Sequence, residues 1–439
     1  MTENGNLELT FLFMNNNKIK EKIKKILIWS QKYTKTDMLY LAKGGFWLST
    51  NKIISMFSSF VSSIFFANLL LPETYGTFRY ILSMTGLLAV TALTGMDLAV
   101  NRAVAKGQTK IINKALNKKM QYGLIGSLGS LILMAYYFVK GNTTLATLFL
   151  ISSFFIWLMD PLYLFNSVLN GLKKFKESTI YNGILKITTT IILVITIFVS
   201  KNIFLLVFMY FLSNTFLRFI YFSKTKSQIH PSQVNTEEIK ETISFGKHLS
   251  AIDVINQIST YLDKILIFNF GGAALSAVYY LSLMPYKQIK NFLNSFNTLA
   301  LPKFTETSHA VIKKTLISKV IKLYIIILPV IAAYIILAPW FFKVFYPQYE
   351  NGVWISQIFI CQLIFYPSTL FSTALTAQGD KKNLYTISTS YSIIRIILLV
   401  ILIPLMGTKG AVLSLLLSGL INSISIIILF YRKKNFYAV

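Results

Sequence analysis

The chain has 439 residues, of which 54% are hydrophobic and only 13% are charged, and its mean hydropathy is +0.59. This composition excludes a soluble globular protein, because the apolar residues come in runs long enough to cross a bilayer. The formal charge of +27 lies mostly in the gaps between those runs, so it does not indicate nucleic-acid binding. The single cysteine, Cys361, falls inside an apolar run, so disulfides play no part.

Residues 1–43 are predicted to form a basic cytoplasmic tail. No short apolar stretch with a small-residue cleavage site occurs there, so the sequence predicts no cleavable signal peptide. Residues 18–43 mix isoleucines with many lysines, which indicates an amphipathic segment on an anionic leaflet or a plain inner anchor for the first span. Residues 1–13 match no pattern, and Met14 is therefore a candidate natural start.

Twelve apolar runs follow, and each can cross the ~30 Å hydrocarbon core as a helix. Helices are expected because only helices and closed barrels satisfy their backbone in lipid. The fold class predicted is therefore all-α, a polytopic membrane protein with about 12 transmembrane helices. The predicted spans are roughly 44–70, 75–98, 120–139, 144–170, 178–200, 202–223, 247–270, 274–300, 320–342, 352–378, 384–404 and 408–431.

The lysines and arginines predict the orientation of these spans. With the N-terminus in the cytoplasm, the inner segments hold about 30 of the 43 basic residues. The outer loops then hold only four, Lys140, Lys201, Lys343 and Lys409. This asymmetry follows the positive-inside rule and predicts a protein of the cytoplasmic membrane with both termini in the cytoplasm.

A repeated pattern divides the chain into two halves. Asn170-Gly171-Leu172-Lys173-Lys174 precedes an apolar run that contains Lys186, and Gln378-Gly379-Asp380-Lys381-Lys382 precedes one that contains Arg395. Internal repeats with a binding site at their interface are typical of transporters. The predicted units are an N-terminal six-helix lobe at 44–223, a cytoplasmic linker at 224–246, a C-terminal six-helix lobe at 247–431 and a cytoplasmic tail at 432–439.

Several cations are predicted to lie deep in the membrane. Lys52 shares a helical stripe with serines of the first span, and Lys264 shares one with Asp253 in the seventh. A charge that faces lipid costs about 2.5–3.5 kcal/mol, so deep cations must pair with acids or line a wet cavity. The predicted cavity-lining cations are Lys52, Lys186, Lys264, Lys287, Lys290 and Arg395, and the deep acids available for ion coupling or charge pairing are Asp160, Asp253 and Asp263.

Other charges within the spans have simpler interpretations. Arg79, Arg218 and Lys322 lie where a long side chain can reach the membrane interface, and Asp97 can pair with Arg102. The balance of deep charge remains positive, which favours a water-filled cavity for an anionic substrate such as a phosphate or diphosphate. No nucleotide-binding glycine loop and no metal-ligand cluster occur, so no cofactor and no metal site are predicted.

The chain resembles the Wzx-type oligosaccharide flippases, the polysaccharide export proteins of the multidrug/oligosaccharidyl-lipid/polysaccharide (MOP) superfamily. The resemblance covers about residues 40–431 and depends on the order and spacing of short segments. These segments are Phe66-Ala67-Asn68, Pro72-Glu73, Tyr75-Gly76-Thr77-Phe78, Gly95-Met96-Asp97, Tyr261-Leu262-Asp263-Lys264-Ile265-Leu266-Ile267, Gly271-Gly272, Ala277-Val278-Tyr279, Leu301-Pro302-Lys303-Phe304 and Gly407-Thr408-Lys409-Gly410-Ala411.

The resemblance implies two six-helix lobes related by a pseudo-twofold axis. It also implies that the protein flips an undecaprenyl-diphosphate-linked oligosaccharide to the outer leaflet by alternating access, with the diphosphate on the deep cations. The acids would couple transport to protons or sodium, or simply neutralise lysines. A monomer that associates with polysaccharide-assembly enzymes is the default expectation.

Three alternatives stay open at this point. An ion-coupled multidrug or organic-cation antiporter of the same superfamily would need acids to dominate the cavity. A lipid II flippase would often carry two further spans, for which the sequence has no room after the twelfth. A membrane polymerase or ligase of lipid-linked sugars would need a sizeable outer loop, and the predicted outer loops are only a few residues long.

Overall fold

A computed structural model of the protein describes residues 38–229, 236–305, 309–377 and 381–432, and within these ranges the chain is almost entirely helical. The apolar runs form helices because a backbone in hydrocarbon must satisfy its hydrogen bonds within its own segment. The helices of the first half are α1 (Met38–Leu69), α2 (Pro72–Leu88), α3 (Met96–Ala105), α4 (Ile111–Val139), α5 (Thr143–Leu162), α6 (Leu164–Gly171), α7 (Phe175–Val199) and α8 (Ile203–Ser227).

The second half uses fewer and longer helices. They are α9 (Thr236–Thr305), α10 (His309–Phe345), α11 (Val353–Cys361), α12 (Thr369–Ala377) and α13 (Lys381–Arg432). Two short 3-10 segments, Pro347–Gly352 and Gln362–Ser368, flank α11. Pro367 lies inside the second of these segments, where the missing N–H favours a break in the helix.

Helices α9 and α13 each contain a sharp turn at a glycine. Gly272 has φ 79° and ψ 176°, and Gly407 has φ 57° and ψ −130°, and these backbone conformations suit only glycine well. The Tyr279 hydroxyl donates to Asp263 Oδ2 at 2.9 Å, although 16 residues of straight helix would span about 24 Å. Helix α9 therefore folds back on itself and forms two antiparallel arms. Helix α13 does the same, because a Cβ atom on Gly410 would overlap the backbone carbonyl of Leu402, eight residues earlier in the chain.

These turns confirm the predicted polytopic all-α fold. Nine helical stretches in the described part of the chain are long and apolar enough to cross a membrane, and the pair α2 and α3 makes a tenth when counted as one bent span. The stretches that contain Gly272 and Gly407 each supply two passes, because they fold back. The described residues therefore account for twelve passes, as the sequence predicted.

The second pass is bent, which the sequence did not predict. The segment from Pro72 to Ala92 and the helix α3 meet at an angle of 52°. Leu93 adopts a left-handed conformation, with φ 57° and ψ 62°, at the bend. The bend places Asp97 in the first turn of α3, where a helix N-terminus favours a carboxylate.

Successive passes alternate in direction, so the connections gather at two ends of the bundle. We call the end with connections 106–110 and 172–174, where α8 also ends at Ser227, the basic end, and the end with connections 140–142 and 200–202 the opposite end. We call helices α1–α8 the N-lobe and α9–α13 the C-lobe. The largest buried cluster joins the lobes near the opposite end, where Phe66 and Tyr75 pack with Tyr346 and Tyr349.

Some sequence predictions fall outside the described residues. Met14 and residues 18–37 of the amphipathic segment precede Met38, and the C-terminal tail lies almost wholly beyond Arg432. The linker at 224–246 is described at both of its ends, where α8 runs to Ser227 and α9 begins at Thr236. The boundaries of the lobes and of the linker stay predictions.

Replacing Gly272 tests the turn between the arms of α9. We expect Gly272→Ala to cost about 1–3 kcal/mol of stability, because alanine is strained at this positive φ. The measurement is the unfolding temperature of the purified protein in detergent. Gly183→Ala is the control, since a Cβ there would only touch Ile54 Cδ1 at 3.4 Å. Equal unfolding temperatures for the two variants would contradict the positive-φ turn at Gly272.

Candidate functional site

A polar cavity lies at the seam between the two lobes. It has a volume of about 420 Å³ and separates α1 from the second arm of α9. We call it the seam cavity, and its lining residues are Asn51, Lys52, Ser55, Met56, Ser59, Tyr280, Met284, Lys287, Gln288, Asn291 and Asn294. The serines follow at helical spacing on one face of α1, which is why a run that is otherwise apolar presents a polar stripe here.

A second cavity continues from the first into the N-lobe. It has a volume of about 280 Å³ and shares Asn51, Ser55, Ser59 and Tyr280 with the seam cavity. We call it the N-lobe cavity. Its further lining residues are Ser62, Phe66, Phe78, Arg79, Leu82, Tyr163, Asn182, Leu185, Lys186, Thr189, Thr190, Leu193, Tyr210, Asn214 and Arg218.

Three lysines of these cavities have no acidic partner. Lys52, Lys186 and Lys287 form no ion pair with any carboxylate of the described residues. Lys287 Nζ lies 5.8 Å from the ring centroid of Tyr280. No Asp or Glu of the described residues lines either cavity, so the cations give the space that the cavities share a positive potential.

Arg79 and Arg218 also face this space. The Arg79 guanidinium lies 3.8 Å from the ring centroid of Tyr280, and its NH2 donates to the Tyr75 hydroxyl at 3.0 Å. Arg218 NH1 donates to the Met159 carbonyl at 2.7 Å. The Nε atoms of both arginines are buried without a hydrogen-bond partner. The prediction that these two arginines reach the membrane interface is therefore wrong, because aromatic rings and a backbone carbonyl hold them at the cavity wall.

Contacts between the lobes close the seam at the opposite end. The hydroxyls of Ser63 and Tyr346 lie 2.8 Å apart, and Asn68 Nδ2 donates to the Phe345 carbonyl at 2.9 Å. Phe60 packs edge-on against Phe345 at 5.3 Å between ring centroids. Both cavities lie on the basic-end side of this seal.

A buried charge cluster lies at the basic end of the N-lobe. Lys119 is fully buried and its Nζ lies 2.7 Å from Asp97 Oδ1 and 3.1 Å from Asp160 Oδ2. The expected partner of Asp97, Arg102, instead lies over the ring of Phe245 at 5.7 Å. The predicted pair of Asp97 with Arg102 is wrong because the bend before α3 directs Asp97 toward α4.

A second charge cluster lies inside the C-lobe around Asp263, whose side chain is 1% exposed. Its Oδ1 lies 2.9 Å from Lys264 Nζ, and its Oδ2 accepts from the Tyr279 hydroxyl at 2.9 Å. Arg395 NH2 lies 3.5 Å from the same Oδ2. Because both carboxylate oxygens have cationic partners, Asp263 neutralises much of the charge of Lys264 and Arg395.

Asp253 lines a separate cavity of about 670 Å³ between the lobes, together with Asp97. We call it the acidic cavity. The Thr94 hydroxyl donates to Asp253 Oδ2 at 2.5 Å, across the interface between the lobes. Hydroxyl and amide groups form much of the remaining wall, including Asn256, Ser372, Thr376, Tyr385 and Ser388.

Residues 41–308 match the model of the family described as "Polysaccharide biosynthesis protein", which is more than half of the chain. The chain belongs to this family. No curated protein sequence matches the chain. The match confirms the resemblance to the Wzx-type flippases of the MOP superfamily, and family and fold together point to a membrane transporter rather than an enzyme.

Solved structures of the MOP superfamily share this fold. An inward-facing multidrug resistance MATE family transporter is 12% identical, with a TM-score of 0.62 over 86% of this chain and 94% of that one. A transporter from Pyrococcus furiosus, described as having a binding pocket of reverse polarity that suggests a different function, is 13% identical, with a TM-score of 0.59 over 89% and 95%. An outward-facing MATE transporter is 13% identical, with a TM-score of 0.53 over 89% of this chain and 95% of that one. These likenesses establish the two-lobe fold alone.

In this member of the polysaccharide biosynthesis family, the six predicted cavity cations occupy four places. Lys52 and Lys287 line the seam cavity, and Lys186 lines the N-lobe cavity. Lys264 and Arg395 pair with Asp263 in the C-lobe. Lys290 lines a fourth cavity, described below. Binding of substrate by these residues stays a prediction, as does ion coupling by Asp160, Asp253 and Asp263.

Sequence reasoning missed Lys119, which was counted among the inner basic residues just before the third span. A signal was present in the small residues of α4. Ala115, Gly123, Gly126 and Ser130 follow at helical spacing and are all buried, and Lys119 lies on the same face. A cation on a small-residue face packs inward, so it requires acidic partners.

Removing the Lys119 charge tests the N-lobe cluster. We expect Lys119→Met to destabilise the protein by about 3–5 kcal/mol, because Asp97 and Asp160 would be left buried without a cation. Adding Asp97→Asn and Asp160→Asn to this variant should restore most of the loss. The measurement is the unfolding temperature in detergent.

An exposed ion pair supplies the control for this experiment. Lys174 Nζ lies 3.7 Å from Glu177 Oε1, and both side chains are 36% exposed. Lys174→Met should therefore cost at most about 1 kcal/mol. A loss for Lys119→Met no larger than this would show that the buried cluster does not stabilise the fold.

Proposed function

We propose that this MOP-superfamily transporter flips an undecaprenyl-diphosphate-linked oligosaccharide from the inner to the outer leaflet of a bacterial cytoplasmic membrane. The cargo would serve the synthesis of cell-surface polysaccharide. The basic end of the bundle would face the cytoplasm, in agreement with the positive-inside rule. Both termini would then be cytoplasmic.

The charge of the two connected cavities carries this proposal. Five cations line them, namely Lys52, Arg79, Lys186, Arg218 and Lys287, and no acidic residue does. A diphosphate offers several anionic oxygens that accept strong hydrogen bonds from ammonium and guanidinium groups. A cationic or apolar drug would meet repulsion or unpaired charge in the same space.

The other lining groups suit a sugar. Asn51, Asn182 and Asn214 offer amides that both donate and accept, and the serines and threonines offer hydroxyls. Such groups can replace the water that hydrates sugar hydroxyls. The long lipid tail would stay in the bilayer beside α1, whose Ile53 and Phe57 side chains are exposed on the outer surface of the bundle.

Alternating access requires the seal at the opposite end to open. Its contacts are a few hydrogen bonds and aromatic packing between the lobes, without an ion pair among the described residues that bridges them there. Rocking one lobe against the other would break these contacts and close the cavities toward the basic end.

A flipping assay tests the proposal with single charge removals. We expect Lys186→Ala and Lys52→Ala to slow the flipping of a lipid-diphosphate oligosaccharide in proteoliposomes by about 10- to 100-fold. This corresponds to the loss of one charged hydrogen bond, about 1.5–3 kcal/mol. The readout is the fraction of cargo that an impermeant reagent reaches in the outer leaflet. Lys186→Arg should retain most of the rate, because it keeps the charge.

Lys322→Ala is the matched control, since Lys322 is exposed on α10 and lines neither cavity. Equally fast flipping in all the variants would show that these cations do not bind the cargo, but it would not contradict the proposed function. Absence of flipping by a folded wild-type protein would refute the proposed cargo.

Gly76 tests the rocking motion. A Cβ atom on Gly76 would overlap the backbone carbonyl of Ala273 in the C-lobe, so Gly76→Ala should push the lobes apart at the opposite end. The readout is labelling of Ser63→Cys by an impermeant thiol reagent, in a Cys361→Ser background. Ser63 is fully buried in the closed seam, so labelling should increase when Gly76→Ala is added. Gly183→Ala should leave labelling unchanged, and an equal increase in that variant would contradict the mechanism.

One observation favours a second candidate function, an ion-coupled organic-cation antiporter. The acidic cavity carries Asp97 and Asp253, which could attract a cation, a proton or sodium. Asp97 already pairs with Lys119, and Asp253 accepts a hydrogen bond from Thr94, so both carboxylates are partly satisfied. Ion-driven efflux of an organic cation from the same proteoliposomes, without flipping, would favour this candidate.

A further inference from the structure

A fourth polar cavity lies inside the C-lobe and is small. It has a volume of about 80 Å³ and lies between the second arm of α9, the 3-10 segment Gln362–Ser368 and both arms of α13. We call it the C-lobe cavity. It shares no lining residue with the seam cavity or the N-lobe cavity, because Tyr286 and Lys290 lie on a different face of α9 from Lys287 and Asn291.

Lys290 brings a positive charge into this cavity. Its Nζ lies 5.6 Å from the ring centroid of Tyr286, and no ion pair of the described residues includes it. No acidic residue lines the cavity. The nearest C-lobe cluster with a carboxylate is centred on Asp263, whose two oxygens already face Lys264, Tyr279 and Arg395.

Two further polar groups lining the cavity have no partner. Gln362 Nε2 and the Tyr366 hydroxyl are buried atoms without a hydrogen bond, and their residues are only 9% and 4% exposed. A buried polar group that is left unpaired destabilises the fold. An ammonium, an amide N–H and a phenol O–H are all donors, so one acceptor could satisfy them together.

From this arrangement we infer that the C-lobe cavity binds a small inorganic anion of about the size of chloride, with Lys290, Gln362 and Tyr366 as its ligands. The volume far exceeds the roughly 10–15 Å³ that one water requires, so a small anion with a water beside it fits. The space is a fraction of the 420 Å³ and 280 Å³ of the two cargo cavities, and an oligosaccharide does not fit. Water alone would leave the buried positive charge without a counter-charge.

The site has a consequence for the lobe. It joins the second arm of α9 to Tyr391 on the first arm of α13 and to Asn422 on its second arm. An anion there would connect the second arm of α9, through Lys290, to the 3-10 segment, through Gln362 and Tyr366, so the C-lobe would be more stable with the anion than without it.

Anion-dependent stability of the full chain tests the inference without any cargo. The unfolding temperature of the protein in lipid nanodiscs would be measured while chloride replaces gluconate at constant ionic strength. We expect a saturable rise for wild type, because an anion that binds only the folded state stabilises it. Lys290→Met should abolish the rise, and Gln362→Leu should weaken the apparent affinity several-fold.

Lys186→Met is the matched control, since it removes an equally unpaired cation from the N-lobe cavity, and its rise should equal that of wild type. No saturable rise in wild type, or the same rise in Lys290→Met and Gln362→Leu, would overturn the site. A rise with inorganic phosphate but none with chloride would overturn the assignment to a chloride-sized anion. None of these outcomes depends on whether the protein flips a lipid-linked sugar.

Discussion

The arrangement of this bundle follows from the cost of placing charge in hydrocarbon. The deep acids are few, and most of them are committed to particular cations: Asp97 and Asp160 to Lys119, and Asp263 to Lys264 and Arg395. Cations beyond this number cannot be neutralised by the described chain itself and must remain in contact with water or a ligand. The seam and N-lobe cavities are the places where these remaining cations gather, so the pairing of acids elsewhere determines the positive charge of the candidate site.

The contacts between the lobes at the opposite end close the cavities on that side, so the cavities lie toward the basic end. The largest buried cluster joins the lobes there, and its members are mostly aromatic. Aromatic side chains pack tightly but tolerate sliding better than buried ion pairs, whose separation would leave bare charges in a low dielectric. The strongest ion clusters lie within one lobe each, around Lys119 and Asp263, and each lobe can therefore move as a unit while the contacts between lobes change.

Sequence reasoning predicted the twelve passes well, because hydropathy and backbone satisfaction dictate them. It also identified Lys52, Lys186 and Lys287 as deep cations. It could not assign them to separate cavities, since helical periodicity gives the face of a helix but not its neighbour. The sequence could not show whether Arg79 reaches the membrane interface or stays buried, because its position along the span allows both. The structure shows the buried arrangement, in which the guanidinium contacts the rings of Tyr75 and Tyr280. The pairing of Asp97 with Arg102 was wrong because the sequence did not reveal the bend at Leu93. Without the bend, the contact of Asp97 with Lys119 on α4 could not be predicted.

The two halves carry the same sequence pattern but use it differently. Lys186 and Arg395 follow equivalent glycine and lysine motifs, yet Lys186 faces a cavity without an acid and Arg395 lies beside Asp263. The Asp263–Lys264 sequence accounts for the difference, because it places a carboxylate within reach of Arg395 on the neighbouring helix. In this chain Asp263 holds Lys264 and Arg395 inside the C-lobe, whereas the N-lobe cations line the cavities. The cargo would therefore be held mainly by α1, α2, α7 and α8 against the wall formed by Tyr280 and Lys287.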